Sequence, residues 1–291
     1  MKDRFKKLKF QNMGVQFDFL IFSDETIISK NIENNNSWEE NQLKLYDSLI
    51  REDGVFIDIG ANVGINSIFA SIKKPNAKIF SIEASYDNYK LLEKNLNLNK
   101  ISNIEPFNIA ISSTDGEVYF SGSGTNAKLS DDKNGDKVLS QCLNTFMSKN
   151  FLRKICLIKI DVEGYTDMVI DNQDFSVFDN AIIEFSIGDT ANRLNGDDVD
   201  VRYEFIRTAK FMSHHMPYIY YISRFDGLVE INLNSFDDYF FIVQMEHSVG
   251  DILFCKTSQP SISMIGFLTK KILNLMSENH LRILENQRLA E

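Results

Sequence analysis

Val55-Phe56-Ile57-Asp58-Ile59-Gly60-Ala61-Asn62-Val63-Gly64 is an apolar, β-prone run that ends in an acid and a glycine-spaced turn. The helical pattern of Ile68-Phe69-Ala70 follows it. That order predicts a buried parallel strand, a tight loop and a helix. Gly60 and Gly64 lack Cβ atoms, so a ligand can lie directly against the backbone, with helix-start amides pointing at it. The spacing is not G-x-G-x-x-G, because Asp58 stands where the first glycine would be. An acid at a strand tip repels a pyrophosphate and suits a ligand that carries an amino group. An ordinary strand-to-helix turn that needs only small residues would also read this way.

Lys78-Ile79-Phe80-Ser81-Ile82-Glu83 reads as a second short strand, again ending in an acid. In nucleotide-binding βαβ units an acid roughly 20 residues beyond the glycines binds the ribose hydroxyls. Glu83 lies at about that distance from Gly60, and its two carboxylate oxygens match a vicinal diol. The competing reading is a solvated acid at the start of the helix near Tyr86. The glycine loop and the strand-end acid together are a stronger signal than either alone, and the methionine tail of S-adenosylmethionine carries such an amino group.

FIDIGANVGINS, SIEAS, NIAISSTDGEVYF and LIKIDVEGYTDMVI, in this order over residues 52–187, resemble the FkbM family of S-adenosylmethionine-dependent methyltransferases. The resemblance implies a class I methyltransferase fold: a Rossmann-like, seven-stranded, mostly parallel α/β sheet with helices on both faces. It implies methyl transfer to oxygen, commonly a hydroxyl of a sugar or natural product. It places Asp58, Gly60, Asn62 and Gly64 around the methionine end of the donor, Glu83 on its ribose, and Asn108 and Ala110 near its adenine. One departure is visible. The family often has E-G-x-E after the fourth strand, whereas this chain reads Glu163-Gly164-Tyr165-Thr166-Asp167, so no role is carried onto Asp167.

The 291 residues, 43% of them hydrophobic, suffice for one sizeable core with short appendages. A formal charge of −10 argues against a nucleic-acid substrate, which needs a basic face. Cys142, Cys156 and Cys255 are far apart and odd in number, which argues against disulfides and a thiolate metal site and fits a reducing cytoplasm. The basic Met1–Lys9 stretch leads into the alternating Val15-Gln16-Phe17-Asp18-Phe19-Leu20 and not into a signal-peptide core. No run is long enough for a transmembrane helix, so a soluble, cytoplasmic protein is expected.

Three segments are expected: an N-terminal extension over 1–50, a methyltransferase domain over 51–257 and a C-terminal helical segment over 258–291. Residues 8–32 alternate as a β-hairpin lid or edge, Asn34-Asn35-Asn36-Ser37 reads as a loop, and Ser37 with Glu40 suggests a capping box for a helix from Trp38 to Ile50. Helical spacing recurs over Tyr86–Leu98. The third strand is Ile104 to Ile111, and Asp115-Gly116 reads as a hairpin turn before Glu117-Val118-Tyr119-Phe120. Ser121 to Asp136 has loop chemistry and is either a surface excursion or a flap over the site. The apolar stripe Ile265, Leu268, Ile272, Leu275 and Met276 in the C-terminal helix suits packing on its own domain or on a second subunit.

Ile155-Cys156-Leu157-Ile158-Lys159-Ile160-Asp161 reads as a central parallel strand whose carboxyl end carries Asp161 and Glu163. Ligands of open α/β sheets lie beyond those strand ends, so both acids are candidate catalytic residues. Asp161 is a candidate base or a group that orients the acceptor and attracts the cationic donor; Glu163 is either of these or a helix cap. Lys159 shares a strand face with Asp161 and reads as its charge partner. Asp161, Glu163 and Glu184 would also make a hard-oxygen set for Mg²⁺, which the family resemblance does not require. His214 and His215 are the other base candidates, though their place at a helix end favours a surface role. Arg193 and Arg202 are candidates for binding an anionic substrate.

The reading is therefore an S-adenosylmethionine-dependent methyltransferase acting on a hydroxyl of a sugar, glycan precursor or other small molecule. A nicotinamide-dependent oxidoreductase and a non-catalytic binding domain of the same fold are the alternatives.

Overall fold

The computed structural model describes residues 4–35, 38–121, 128–130, 135–171, 173–186, 189, 198–223, 227–232, 249–261 and 267. The chain opens with strands β1 (Phe5–Asn12) and β2 (Val15–Phe22) and helices α1 (Ile27–Asn35) and α2 (Glu40–Leu49). Then come β3 (Val55–Ile59), α3 (Ile65–Lys73), β4 (Lys78–Ile82), α4 (Tyr86–Leu98), β5 (Ile104–Phe107) and β6 (Ala110–Ile111). After β7 (Gly116–Ser121), β8 (Lys128–Ser130) and β9 (Asp136–Gln141) the chain forms α5 (Leu143–Lys149), β10 (Leu157–Ile160), α6 (Thr166–Ile170) and β11 (Asn180–Ser186). A helix over Asp198–Ser213 precedes β12 (Tyr218–Ser223), β13 (Gly227–Glu230) and β14 (Val249–Cys255).

The main sheet runs β13-β12-β14-β11-β10-β3-β4-β5. Its eight strands correct the expected seven: five are parallel neighbours, and β14, β12 and β13 join by antiparallel pairing. Residue alternation divides the core into two layers. Phe56, Ile79, Leu157, Ile182 and Leu253 face α2, α3, α4 and the N-terminal hairpin. Ile57, Phe80, Ile158, Ile183 and Phe254 face α5, α6 and the helix Asp198–Ser213.

The expected third strand breaks after Phe107, because Asn108 turns its amide onto the Glu83 and Ala84 carbonyls, each at 2.9 Å. The chain then enters a second sheet, ordered β6-β9-β7-β8. There β9 lies between β6 and β7, so Asp115-Gly116 does not close a hairpin of adjacent strands. Residues 128–130 of the expected loop form a strand against β7; 122–127 and 131–134 lie outside the described residues.

The hairpin is a separate two-stranded sheet on the helices. Asn95 of α4 bonds both the backbone amide and carbonyl of Leu20, at 2.7 and 3.0 Å, and also the Val63 carbonyl at 2.9 Å. A buried amide side chain thus ties the hairpin to the glycine turn. Residues 27–35 are helical, across the end of the expected hairpin and the start of the expected asparagine loop, and Glu25 caps the start of α1 by accepting the amides of Ile27, Ile28 and Ser29. Helix α2 starts after Glu39, which gives no side-chain cap bond; Ser37, the expected cap, lies outside the described residues. So does the expected C-terminal helix, apart from Ser261 and Phe267. No helix among the described residues is long and apolar enough to cross a membrane.

Candidate functional site

The parallel strands present their carboxyl ends at one edge of the sheet, and the turn after β3 lies there. Gly60 and Ala61 both donate to the Ile82 carbonyl, at 2.9 and 3.0 Å, which fastens the turn to the end of β4. A Cβ on Gly60 would stand 1.8 Å from the Asp161 carbonyl oxygen, and one on Gly64 would stand 2.4 Å from Leu92 Cδ1. Both residues also have positive φ, +80° and +93°. The glycines are therefore required by backbone shape and by close packing on the protein itself, a reason that local spacing does not reveal. Asn62 is left-handed at φ 50°, and its amide donates to Glu83 Oε2 at 2.8 Å.

Glu83 is buried, and its other oxygen accepts the Ser85 amide at 2.8 Å. The loop glycines and the second-strand acid, separate signals in the sequence, form one bonded unit. Burial pushes the Glu83 carboxyl up to about 7, against the opposing effect of the two backbone N–H bonds. In the unfolded chain this acid ionises near its ordinary 4.5. Between those values the folded protein binds more protons, so stability falls as pH rises through the window. Wild type is expected to lose up to about 2–3 kcal/mol relative to Glu83→Gln across it. Urea denaturation of both proteins at the two ends of the window measures this, and a constant difference contradicts it.

Asp58 has no exposure. Its Oδ2 accepts the Ser67 hydroxyl at 2.6 Å, and Ser67 accepts from Ser81 at 2.6 Å, whereas Oδ1 has no hydrogen-bond partner. Burial raises its proton affinity and the charge of Lys159 lowers it. Lys159 lies directly across from Asp58 in the β3–β10 ladder and reaches Asp161 Oδ2 at 2.6 Å. It is 2% exposed. Burial by itself would depress the Lys159 pKa, yet Asp161, Tyr46, Glu39 and Asp58 together hold it well above the usual lysine value. The expected charge partner is in place.

Asp161, Glu163 and Glu184 each place an oxygen within 4.8 Å of the others, so the expected meeting of strand tips occurs. Glu163 is left-handed at φ 50°. Partial burial pushes the Glu184 carboxyl well above the ordinary range, and the negative charges of Asp161, Asp251 and Glu163 push it further. Such a set has the hard oxygen donors that a divalent cation takes.

The remaining candidates lie on other elements. Ala110 is buried in the second sheet, paired with Ser140. Tyr218 and Asn180 both pair with Cys255, so β12 and β11 begin at the same end of the sheet. His214 and His215 precede β12 and therefore stand at the edge opposite the acids, with His214 exposed and its Nδ1 2.7 Å from the Lys210 carbonyl. The surface role favoured for them from the sequence is the one that fits His214. Arg193 and the side chain of Arg202 lie outside the described residues.

The sequence did not announce Glu39, Gln42, Tyr46 and Asp251. Gln42 donates to Asp251 Oδ2 at 2.6 Å and accepts from Tyr46 at 2.8 Å; Asn66 donates to Glu39 at 3.2 Å. Burial raises the Glu39 carboxyl, opposed by Lys159. It pushes Asp251 up to about 7, with Glu39 adding to the effect. The only advance signal was the acid at the start of the last apolar strand.

A family model described as the methyltransferase FkbM domain matches residues 58–218. No curated protein matches the chain. Among solved structures, precorrin-6y C5,15-methyltransferase from Geobacter metallireducens is 15% identical with a TM-score of 0.39, covering 74% of this chain and 87% of that one. A 16S rRNA methyltransferase of T. thermophilus with AdoMet and guanosine is 8% identical, TM-score 0.44, covering 88% and 51%. M. jannaschii TYW2 with AdoMet is 12% identical, TM-score 0.37, covering 87% and 85%. These likenesses are distant; the family match covers more than half of the chain.

Proposed function

The chain belongs to the FkbM methyltransferase domain family, and from that premise we propose that it transfers a methyl group from S-adenosylmethionine to a hydroxyl of a sugar, glycan precursor or other small molecule. The observation that carries the donor is the bond between Glu83 and the Asn62 amide, which joins a ribose-type acid to the glycine turn. The buried, unpartnered Oδ1 of Asp58 fits a donor with an amino group. Asn108 supports the site indirectly, by holding the carbonyls of Glu83 and Ala84.

The donor supplies an electrophilic methyl carbon on a sulfonium. Asp161, fixed by Lys159, orients the acceptor hydroxyl, and Glu163 receives its proton. The acceptor oxygen gains the new carbon–oxygen bond as the carbon–sulfur bond breaks. The same three acids would hold a divalent ion if the enzyme uses one. A formal charge of −10 favours a small acceptor over a nucleic acid. The family assignment displaces the nicotinamide alternative.

Calorimetric titration with S-adenosylhomocysteine tests the donor, with NAD⁺ as control. Measured above the Glu83 pKa of about 7, Glu83→Ala is expected to weaken binding by about 1.5–3 kcal/mol, the range for hydrogen bonds to a charged group. No binding of the homocysteine product, or a preference for NAD⁺, overturns the reading.

A further inference from the structure

A cavity of about 480 Å³ opens beside the strand-tip acids, with Trp38, Glu39, Gln42, Glu184, Tyr221 and Asp251 among its walls. It is built by the first turn of α2 and by the ends of β11, β12 and β14, so the N-terminal segment supplies one side. Glu184 belongs both to this cavity and to the carboxylate trio, which places the cavity next to the reacting end. Its described walls carry four acids, Glu39, Glu40, Glu184 and Asp251, and no basic residue. Lys159, the cation nearest these acids in the sheet, is already engaged by Asp161.

Two independent features point to a positively charged occupant. Asp251 Oδ1 is shielded from solvent and accepts no hydrogen bond, although Gln42 satisfies Oδ2. Directly across the ladder from Asp251 stands Glu184, and no donor from the described residues reaches its carboxylate. Facing carboxylates in a sheet destabilise it unless they are neutralised, by protons in the free protein or by a cation that takes the protons' place. Glu39, the third acid, is held left-handed at φ 47° and ψ 48°, a conformation that costs energy and is found where function over-determines the backbone. The volume is far larger than a metal ion needs, and Trp38 adds an aromatic wall to the acids.

We propose that this cavity seats the methyl acceptor and recognises a protonated amino group on it, as in an amino sugar or another primary amine, through Glu39, Glu184 and Asp251. The inference rests on the methyltransferase reading and names the class of its acceptor. Methyl transfer to a hydroxyl of such a molecule leaves the ammonium as an anchor.

Trp38 is the single tryptophan of the chain and lines the cavity, so intrinsic fluorescence reports occupancy without any turnover. The probes are benzylammonium chloride, its neutral counterpart benzyl alcohol, and magnesium chloride alone. Benzylammonium is expected to shift the emission saturably and to bind roughly tenfold or more tightly than the alcohol. Glu39→Gln and Asp251→Asn are expected to bring the two ligands within about twofold of each other. Equal binding of the charged and neutral ligands by wild type overturns the proposal even if a variant fails to fold. So does no response to benzylammonium, or the same response to magnesium. The calorimetric titration separates the two levels. A protein that binds S-adenosylhomocysteine but ignores the ammonium loses only this inference, whereas one that binds no S-adenosylhomocysteine loses the methyltransferase reading.

Discussion

Lys159→Met is expected to destabilise the protein by about 3–5 kcal/mol at neutral pH, the cost of leaving a buried charge uncompensated. Lys159 is 2% exposed, lies opposite Asp58 in the ladder and bonds Asp161 at 2.6 Å. Methionine nearly matches its length and keeps the apolar contacts, so the loss isolates the charge. Burial raises the proton affinity of Asp58 and Glu39, and Lys159 opposes this in both. Lowering the pH protonates these acids and removes the need for the cation. The penalty is therefore expected to shrink in acid, where the wild type gains less from the ammonium. Urea denaturation of the two proteins at neutral pH and near pH 5 measures both statements. A penalty under about 1 kcal/mol would mean that the cluster is already neutral in the wild type.

Gly60→Ala is expected to cost at least about 3 kcal/mol and to abolish donor binding. The new methyl would stand 1.8 Å from the backbone oxygen of Asp161, and neither backbone can withdraw without parting β3 from β10. Gly14→Ala supplies the control, because Gly14 has a similar φ of +75° and nothing within 4 Å of the added atom. It should cost only the left-handed strain, about 1–2 kcal/mol. Gly64→Ala should fall between them, since its obstacle is the end of the flexible Leu92 side chain. Thermal and chemical unfolding of the three variants rank the effects. Equal losses at Gly60 and Gly14 would show that dihedral strain, and not the close approach to Asp161, makes Gly60 necessary.

Much of the central architecture is legible in the chain because strand alternation and glycine punctuation are local properties. The apolar runs ending in Asp58, Glu83 and Asp161 mark three adjacent parallel strands, and the acids do collect at their carboxyl ends. The Lys159–Asp161 pair follows from two-residue spacing on one strand. Local reading fails where a distant partner decides. Asn108 breaks the third strand because the carbonyls it bonds, those of Glu83 and Ala84, belong to the neighbouring turn. The Asp115-Gly116 turn joins strands that β9 separates, and α1 runs on through Asn34 and Asn35, which read as loop.

The sequence by itself determined the glycine turn, its paired acid and the family, since each rests on residues close together in the chain. Only the tertiary structure decided what lies beside them. Asp251 meets Glu184 through the register of an antiparallel strand, and Glu39 and Gln42 arrive on a helix that precedes the first core strand. Register and helix docking are set by the packing of whole layers, to which no single stretch of sequence holds the key. The glycine turn and its paired acid, the proposed donor side, could therefore be read along the chain, whereas the acidic cavity came into view only when the sheet was assembled.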